Sequence, residues 1–207
     1  TCPYYAVHSI SALYGLRRTY FRSAKHGAEL TDAPNAKALP PIKGEIEFRK
    51  VKFGYTPGDI IVEDINLHIH PGEIVAIVGP TGAGKTTLIS LVSRLYDLAH
   101  NQGGIFIDGQ DIRNITRKSL ASQMSIVLQD PFLFSGTVKE NIRYNNQTAS
   151  ISQIMEAAKA VGAHDFIMDL ENGYDTHLQE RGGNISVGQQ QLLSFARAIV
   201  ANPRILI

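Results

Sequence analysis

Apolar residues follow two different patterns along the N-terminal half of the chain. Ile46 and Phe48 alternate with polar residues, and Val51 and Phe53 resume the alternation in the opposite phase. This pattern predicts one or two strands with a bulge or a slip between them. The apolar run at 74–78 is uninterrupted, as is typical of a strand covered on both faces. We therefore expect half-buried strands first and a fully buried strand after them.

Later segments alternate between helical and extended patterns. The predicted elements are helices over 88–95, 151–161 and 192–200 and strands at 105–107 and 125–128, with Asn202-Pro203 ending the last helix. Such a mixture argues for an α/β domain with a parallel central sheet. We expect an antiparallel β portion at its N-terminal side and a helical subdomain at about 130–190.

The first 44 residues predict a helix and a linker rather than part of the globular domain. Apolar residues at helical spacing predict an amphipathic helix over 1–28. Its basic side chains indicate either a solvated helix face or a basic flank just inside a membrane. Residues 31–44 contain three prolines and a glycine, which break regular structure and predict a linker. The globular domain is therefore assigned to 44–207, and 1–43 is expected to be a linker region that follows a membrane helix.

Composition narrows the class of protein. The 207 residues are 43% hydrophobic, enough for one sizeable domain. With 20 basic and 19 acidic residues, the net charge of +1 gives no reason to expect nucleic acid as a partner. Cys2 is the only cysteine, which excludes an internal disulfide. The sequence has no secretory signal pattern and no run of 18 apolar residues. Because the first residue is not Met and the last ones resemble a buried strand, we expect two cut ends.

The glycine-rich segment at 79–86 carries the clearest chemistry. It follows the predicted buried strand and fits G-x-x-x-x-G-K-[ST] at every fixed position. Glycines let the main chain curl so that N–H groups face phosphate oxygens, and the dipole of the following helix favours the same anion. Lys85 is expected to contact the β- and γ-phosphates, and the Thr86 hydroxyl to bind Mg²⁺. The predicted nucleotide-binding residues are Gly79, Pro80, Thr81, Gly82, Ala83, Gly84, Lys85, Thr86 and Thr87.

Four further stretches restrict the type of P-loop protein. They are Phe-Gly-Tyr at 53–55, the segment beginning Gln-Asp-Pro-Phe-Leu-Phe at 129–142, Tyr-Asp-Thr-His-Leu-Gln-Glu-Arg-Gly at 174–182 and Ile-Ser-Val-Gly-Gln at 185–189. Together with the P-loop, these stretches make residues 44–207 resemble the ATP-binding domain of ABC transporters, in particular of exporters. The resemblance implies a P-loop NTPase fold with ATP and Mg²⁺ as cofactors.

The resemblance also implies roles for individual residues. Tyr55 corresponds to an aromatic that stacks on adenine, and Gln129 to a glutamine that helps to hold Mg²⁺ and the attacking water. Ser186, Gly188 and Gln189 belong to a signature, usually Leu-Ser-Gly-Gly-Gln, that caps ATP bound to a second domain. The partner implied is thus a second ATP-binding domain, identical or different. The motif departs from the usual pattern at positions 185 and 187, and Ser-x-x-Gln is also a capping box that opens a helix.

Two segments are similar to regions of exporters that face the membrane domain. Phe132, Leu133 and Phe134 are either a docking surface for a transporter helix or a loop that fills the core. Glu180 and Arg181 either transmit movement or form a solvated charged turn. The implied location is the cytoplasmic face of the cell membrane, next to a transmembrane domain.

In this family the strand that ends at Ile207 runs into the Walker B aspartate and the catalytic glutamate. We therefore expect the chain as given to bind ATP weakly without turning it over, with Lys85 and Gln129 as its catalytic candidates. The interpretation is an ATP-powered export subunit. Two alternatives remain: a soluble ABC-type ATPase acting in DNA repair or translation, and a regulatory domain that only binds nucleotide.

Overall fold

A computed structural model describes residues 31–56 and 58–207. The amphipathic helix predicted over 1–28 lies outside the described residues. The described part of the chain divides into two compact units. We call them the sheet unit (31–126 and 201–207) and the helical unit (127–200).

The regular elements follow one another in this order: strands β1 (Ile46–Phe53) and β2 (Val62–Ile69), helix α1 (Lys85–Val92), strands β3 (Gly104–Ile107) and β4 (Gln110–Asp111), helix α2 (Arg117–Ala121), strands β5 (Met124–Ser125) and β6 (Gly136–Thr137), helices α3 (Val138–Arg143), α4 (Ile151–Ala160) and α5 (His164–Met168), strand β7 (His177–Leu178), helix α6 (Val187–Val200) and strand β8 (Ile205–Leu206). Short 3₁₀ turns occupy Ile112–Asn114, Gly173–Asp175 and Glu180–Gly182.

The sheet unit is built around an antiparallel sheet of four strands in the order β2-β1-β3-β4. The register between β1 and β2 shifts between Phe48 and Val51 and again before Phe53. This irregularity confirms the bulge predicted from the change of phase. Phe48, Val51 and Ile105 are buried in the core of this unit. The antiparallel β portion expected from the sequence is thus present.

Among the strands of the described residues, only β5 and β8 pair in parallel. This ladder is two residues long, and the Ile207 N–H continues it by donating to the Ser125 carbonyl at 2.9 Å. The strand predicted over 125–128 is therefore wrong in extent, since residues beyond 125 have no ladder partner and only Ser125 of the predicted strand is buried. A run of apolar residues becomes a strand only where a neighbouring backbone can pair with it.

The prediction of a buried strand at 74–78 is contradicted. These residues follow the turn at Pro71-Gly72 but join no strand of the described chain. Ile74 is 98% exposed and Val78 is 87% exposed. A strand covered on both faces requires hydrogen-bonded neighbours and two packing layers. The described residues supply neither here, so the apolar pattern alone does not produce the element.

Residues 31–44 contain no helix or strand, and only a single bridge joins Lys37 to Ile115. The segment nevertheless packs on the sheet unit, because Leu39 and Ile42 are buried. The Asp108 carboxylate accepts hydrogen bonds from the main-chain N–H groups of residues 43, 44 and 45 at 2.6, 3.1 and 2.9 Å. The predicted linker is thus attached along its length.

The helical unit buries the apolar faces of its helices in one core. Ile142 of α3, Ile154 of α4 and Leu193 of α6 are fully buried in it. Capping boxes open α3, with Thr137 and Glu140, and α4, with Ser150 and Gln153. The helices predicted over 151–161 and 192–200 are confirmed as α4 and the second half of α6. Among the described residues, no helix is long and apolar enough to cross a bilayer.

Candidate nucleotide-binding site

The P-loop lies between the exposed segment 74–78 and helix α1. Gly82 and Gly84 have φ values of +87° and +82°, which L-residues with a side chain rarely adopt. A Cβ atom on Gly84 would lie 2.4 Å from Cγ1 of Val62. Position 84 therefore requires glycine for two reasons, the left-handed backbone and the close approach of β2.

Helix α1 begins directly after this glycine with its N-terminus uncapped. Gly84 is the N-cap residue, so no side chain accepts a hydrogen bond from the first N–H groups, and the first turn holds no acidic residue. Free N–H groups and the positive end of the helix dipole favour an anion at this position. Residues 79–83 are exposed, which leaves the loop open to a ligand. The arrangement suits a phosphate chain.

The Lys85 ammonium folds back over the loop. Its Nζ donates hydrogen bonds to the carbonyl oxygens of Gly79 and Pro80, both at 2.8 Å. These contacts hold a positive charge at the mouth of the loop, and no carboxylate in the described part of the chain forms an ion pair with it. Because an anion binds an ammonium more strongly than a neutral carbonyl does, the lysine can exchange these contacts for phosphate oxygens.

Tyr55 and Thr87 come together beside the loop. The Tyr55 hydroxyl lies 3.2 Å from Oγ1 of the buried Thr87. The Tyr55 ring packs edge-on against Phe53 and Tyr96, with ring centroids 5.2 and 5.0 Å away. Although these contacts fix the ring, Tyr55 remains 45% exposed. A fixed and exposed ring offers a stacking surface for a base.

The remaining metal-binding candidates are both exposed. Thr86 is the second residue of α1 and is exposed. Gln129 is exposed in a non-helical segment of the helical unit. A threonine hydroxyl and a glutamine carbonyl are oxygen ligands of the type that Mg²⁺ takes together with water and phosphate. The donor chemistry at both positions therefore fits Mg²⁺.

The stretch at 185–189 forms a capping box at the start of α6. Ser186 Oγ accepts a hydrogen bond from the Gln189 N–H at 3.2 Å, and Gln189 Oε1 accepts one from the Ser186 N–H at 2.9 Å. Gly188 serves no visible need of the fold, since a Cβ there would meet only Ser186 Oγ at 4.0 Å. Glycine in a helix costs up to about 1 kcal/mol relative to alanine. A requirement outside this chain would explain its presence.

The loop at 132–134 is held from beneath by Arg197 of α6. The guanidinium donates to the carbonyl oxygens of Phe132 and Asn141 at 2.7 and 2.9 Å and to Asn141 Oδ1 at 2.9 Å. Burial lowers the pKa of Arg197 to about 10. Asn141 also binds both main-chain groups of Phe134 at 2.9 Å. Two side chains thus fix the main chain of this loop.

The same loop presents aromatic side chains. Leu133 is fully buried, but Phe132 and Phe134 are half-buried. The Phe134 ring stacks on Tyr144 with centroids 4.4 Å apart, and Tyr144 is 45% exposed. Both predicted roles of the segment therefore have a structural counterpart: Leu133 fills the core, and the aromatic residues form a surface.

Glu180 and Arg181 lie in a 3₁₀ turn and are both exposed. Arg181 has a φ of +59°, which is unusual for a residue with a side chain. Such backbone strain is often found at functional positions.

Sequence reasoning missed Arg197 and Asn141 as organisers of the 132–134 loop. The sequence does contain a pattern that could have predicted the role of Arg197. This residue follows Leu193 by four residues, on the side of the helix that carries the apolar stripe. A charged residue in such a stripe is buried and needs several acceptors.

A family model described as "ABC transporter" matches residues 62–207. An uncharacterized ABC transporter ATP-binding protein of Bacillus subtilis is 46% identical over 198 residues, covering 96% of this chain and 32% of that protein. A fatty acid ABC transporter ATP-binding/permease protein of Mycobacterium bovis is 41% identical over 203 residues, again 96% of this chain and 32% of that protein.

Among solved structures, a bacterial Atm1-family ABC exporter with ATP bound aligns with a TM-score of 0.82 at 42% identity. The alignment covers 90% of this chain and 32% of that one. The chain therefore has the P-loop NTPase fold of ABC ATPases and spans about a third of the length of these relatives. The family model covers residues 62–207, and the Bacillus subtilis relative is 46% identical over 96% of this chain. This chain therefore belongs to the ABC transporter family.

Proposed function

We propose that this chain is the nucleotide-binding part of an ABC exporter, in which ATP binding and hydrolysis drive transport of a substrate across the membrane. The observation that carries the proposal is the P-loop at the uncapped start of α1, with its left-handed glycines and the Lys85 ammonium held over it by two carbonyl oxygens. The relatives support the exporter assignment, since one is a fatty acid transporter and another an Atm1-family exporter.

Within this proposal, residues of both units have separate roles in binding Mg-ATP. The main-chain N–H groups of 79–87 and the Lys85 ammonium bind the phosphates, and Tyr55 covers one face of the adenine. Thr86 and Gln129 supply oxygen ligands to Mg²⁺, which when bound neutralises charge on the phosphates. Lys85 stabilises the charge that develops on the phosphoryl oxygens, and Gln129 orients the attacking water.

The signature stretch is proposed to act on the nucleotide of a second ATP-binding domain, identical or different. Ser186 and Gln189 cap α6, so the start of this helix is a rigid surface with its dipole pointing outward. A glycine at 188 lets a phosphate approach the main chain closely. Two such domains would enclose two nucleotides, and their closure would move the membrane helices.

A Gly188→Ala substitution separates this role from folding. We expect the free energy of unfolding to stay unchanged or to rise by up to about 1 kcal/mol, because alanine favours the helix and the added Cβ meets open space. The ATPase rate of the full-length parent should nevertheless fall by about 10-fold or more, since the methyl group blocks close approach of phosphate. Denaturant unfolding of the chain and steady-state hydrolysis by the parent measure the two effects.

Gln191→Ala is the matched control, because Gln191 is an exposed residue of the same helix. It should leave the ATPase rate unchanged. If Gly188→Ala also left the rate unchanged, position 188 would have no role at a partner's nucleotide.

Tyr55 offers a test of adenine stacking. We expect Tyr55→Ala to weaken Mg-ATP binding by about 10- to 100-fold, since stacking of a base on an aromatic ring contributes about 1–3 kcal/mol. Tyr55→Phe keeps the ring and loses only the contact with Thr87, so its affinity should remain close to that of the wild type. Equilibrium titration with a fluorescent ATP analogue compares the two variants. Equal losses in both would assign the effect to the hydroxyl group instead.

The proposed contacts with a transmembrane domain lie in the helical unit. The surface formed by Phe132, Phe134 and Tyr144 is rigid because Arg197 and Asn141 hold its main chain. Aromatic side chains on a rigid base are suited to receive a helix from another domain. Glu180 and Arg181 are the proposed charged contacts. The location proposed on this basis is the cytoplasmic face of the membrane.

Sequencing the gene that encodes this chain would distinguish an exporter from a soluble ABC-type ATPase. Hydrophobic spans encoded upstream of residue 1 are expected for the exporter. A full-length protein without such spans would instead be a soluble ATPase.

A further inference from the structure

Two histidines and a glutamate meet at one end of the antiparallel sheet. His68 and His70 are two residues apart, and since β2 ends at Ile69 they lie at the end of that strand with their side chains on the same side. Ile46 pairs with Ile69, so Glu45 and His70 flank the same end of the β1–β2 ladder. Because β2 is an edge strand, this group of residues faces solvent rather than a further strand. None of them belongs to the nucleotide site.

The three side chains are already close to one another. His68 Nε2 lies 2.7 Å from Glu45 Oε1, and the rings of His68 and His70 have centroids 4.4 Å apart. One ligand atom from each of the three residues lies within 4.8 Å of the other two. This is the only such trio among the residues that the structure describes.

We propose that Glu45, His68 and His70 bind a divalent transition-metal ion of the zinc type. Two imidazoles and one carboxylate form a ligand set that Zn²⁺ accepts, with water completing a tetrahedron. Imidazole also suits Ni²⁺ and Cu²⁺, whereas Mg²⁺ and Ca²⁺ prefer oxygen ligands alone. The site is therefore selective against the ion that accompanies ATP.

Neighbouring carboxylates are committed elsewhere, which leaves Glu45 as the acidic ligand. Glu47 forms two hydrogen bonds with Arg49, at 2.7 and 2.6 Å. Glu73 accepts a hydrogen bond from the main-chain N–H of His70 at 2.8 Å and so braces the turn that follows β2.

Metal binding requires only side-chain movement. Tetrahedral zinc with bonds of about 2.0–2.2 Å places its ligand atoms about 3.3–3.5 Å apart. The His68 and Glu45 side chains are 46% and 38% exposed, so they can rotate to reach this spacing. A bound ion would connect the residue before β1 to the end of β2 and would stabilise the folded state.

The test uses the full chain without a polyhistidine tag, in a Cys2→Ser background so that the thiol does not compete, and treated with chelator. Calorimetric titration with zinc sulfate should show saturable binding of one ion per chain that is lost or weakened more than about 10-fold by His68→Ala and by His70→Ala. Glu45→Gln should weaken binding in the same direction. Zn²⁺ should also raise the Tm of the wild-type chain but not of the two histidine variants.

His100→Ala is the control, because His100 is an exposed histidine of the same unit outside the trio. This variant should bind Zn²⁺ as tightly as the Cys2→Ser chain without further substitution. Titration with magnesium chloride should show no binding at this site. Co²⁺ should produce the intense visible bands of a four-coordinate site, absent in His68→Ala. Folding of each variant is verified by circular dichroism. Absence of saturable binding in the folded chain, or binding by the two histidine variants as tight as that of the chain with both histidines, would overturn the proposal.

Discussion

Lys85→Ala is expected to reduce ATP hydrolysis by the full-length parent protein by about 10²–10³-fold, the loss typical of removing one preorganised charge from a transition state. The ammonium is held at the mouth of the P-loop by two carbonyl oxygens, Gly79 and Pro80, at 2.8 Å each. Without it the stretch 79–87 has no basic side chain for the phosphates. Affinity of the chain for Mg-ATP should fall by at least about 10-fold, as measured by equilibrium titration.

Lys118→Ala provides the matched control, because Lys118 is an exposed lysine of the same unit on helix α2. It should change neither the affinity for Mg-ATP nor the rate. Lys85 is only partly buried and pairs with loop carbonyls, so its removal should leave the free energy of unfolding nearly unchanged. Unaltered nucleotide binding by a folded Lys85→Ala chain would remove the basis of the proposed function.

Arg197→Ala is expected to have the largest effect on stability. It removes the guanidinium donor from the carbonyl oxygens of Phe132 and Asn141, whereas Asn141 Oδ1 keeps the Phe134 N–H as a donor. Each buried acceptor that loses its partner costs about 1–3 kcal/mol. Removing the guanidinium also removes the cost of burying its charge, which offsets part of this loss. We expect a net decrease of about 3 kcal/mol in the free energy of unfolding, measured by denaturant unfolding.

Arg197→Met separates hydrogen bonding from packing, because methionine fills similar space without donors. If the loss of free energy of unfolding comes mainly from the acceptors that lose their donor, the methionine variant should be almost as unstable as the alanine variant. Lys159→Ala, at an exposed position on α4, is the control and should change stability by less than about 0.5 kcal/mol. A loss below about 1 kcal/mol in Arg197→Ala would show that the loop is held by other contacts.

The sequence was a reliable guide where a residue type is required by local geometry. Position 84 must be glycine because its φ is positive. The P-loop could therefore be recognised from its amino-acid sequence alone. The change of phase between Phe48 and Val51 predicted a bulge, because side chains in a strand alternate between two faces. Ser186 and Gln189 predicted a capping box for a similar reason, since capping depends on groups three residues apart.

Predictions that required knowledge of neighbours were less successful. The apolar run at 74–78 indicated burial but not whether the described residues would supply a strand to pair with it. The linker at 31–44 was correctly predicted to lack regular structure. However, its attachment through Asp108 joins residues more than 60 positions apart and had no local signal.

The sequence alone determined the phosphate-binding loop, the periods of the helices and strands and the membership of the family, because each depends on residue type at short spacing. Only the tertiary structure decided which distant side chains meet. It placed Tyr55 beside Thr87, Arg197 beneath the 132–134 loop and Glu45 beside His68. These contacts arise from how whole elements pack, and packing depends on the faces of several elements at once rather than on any one segment.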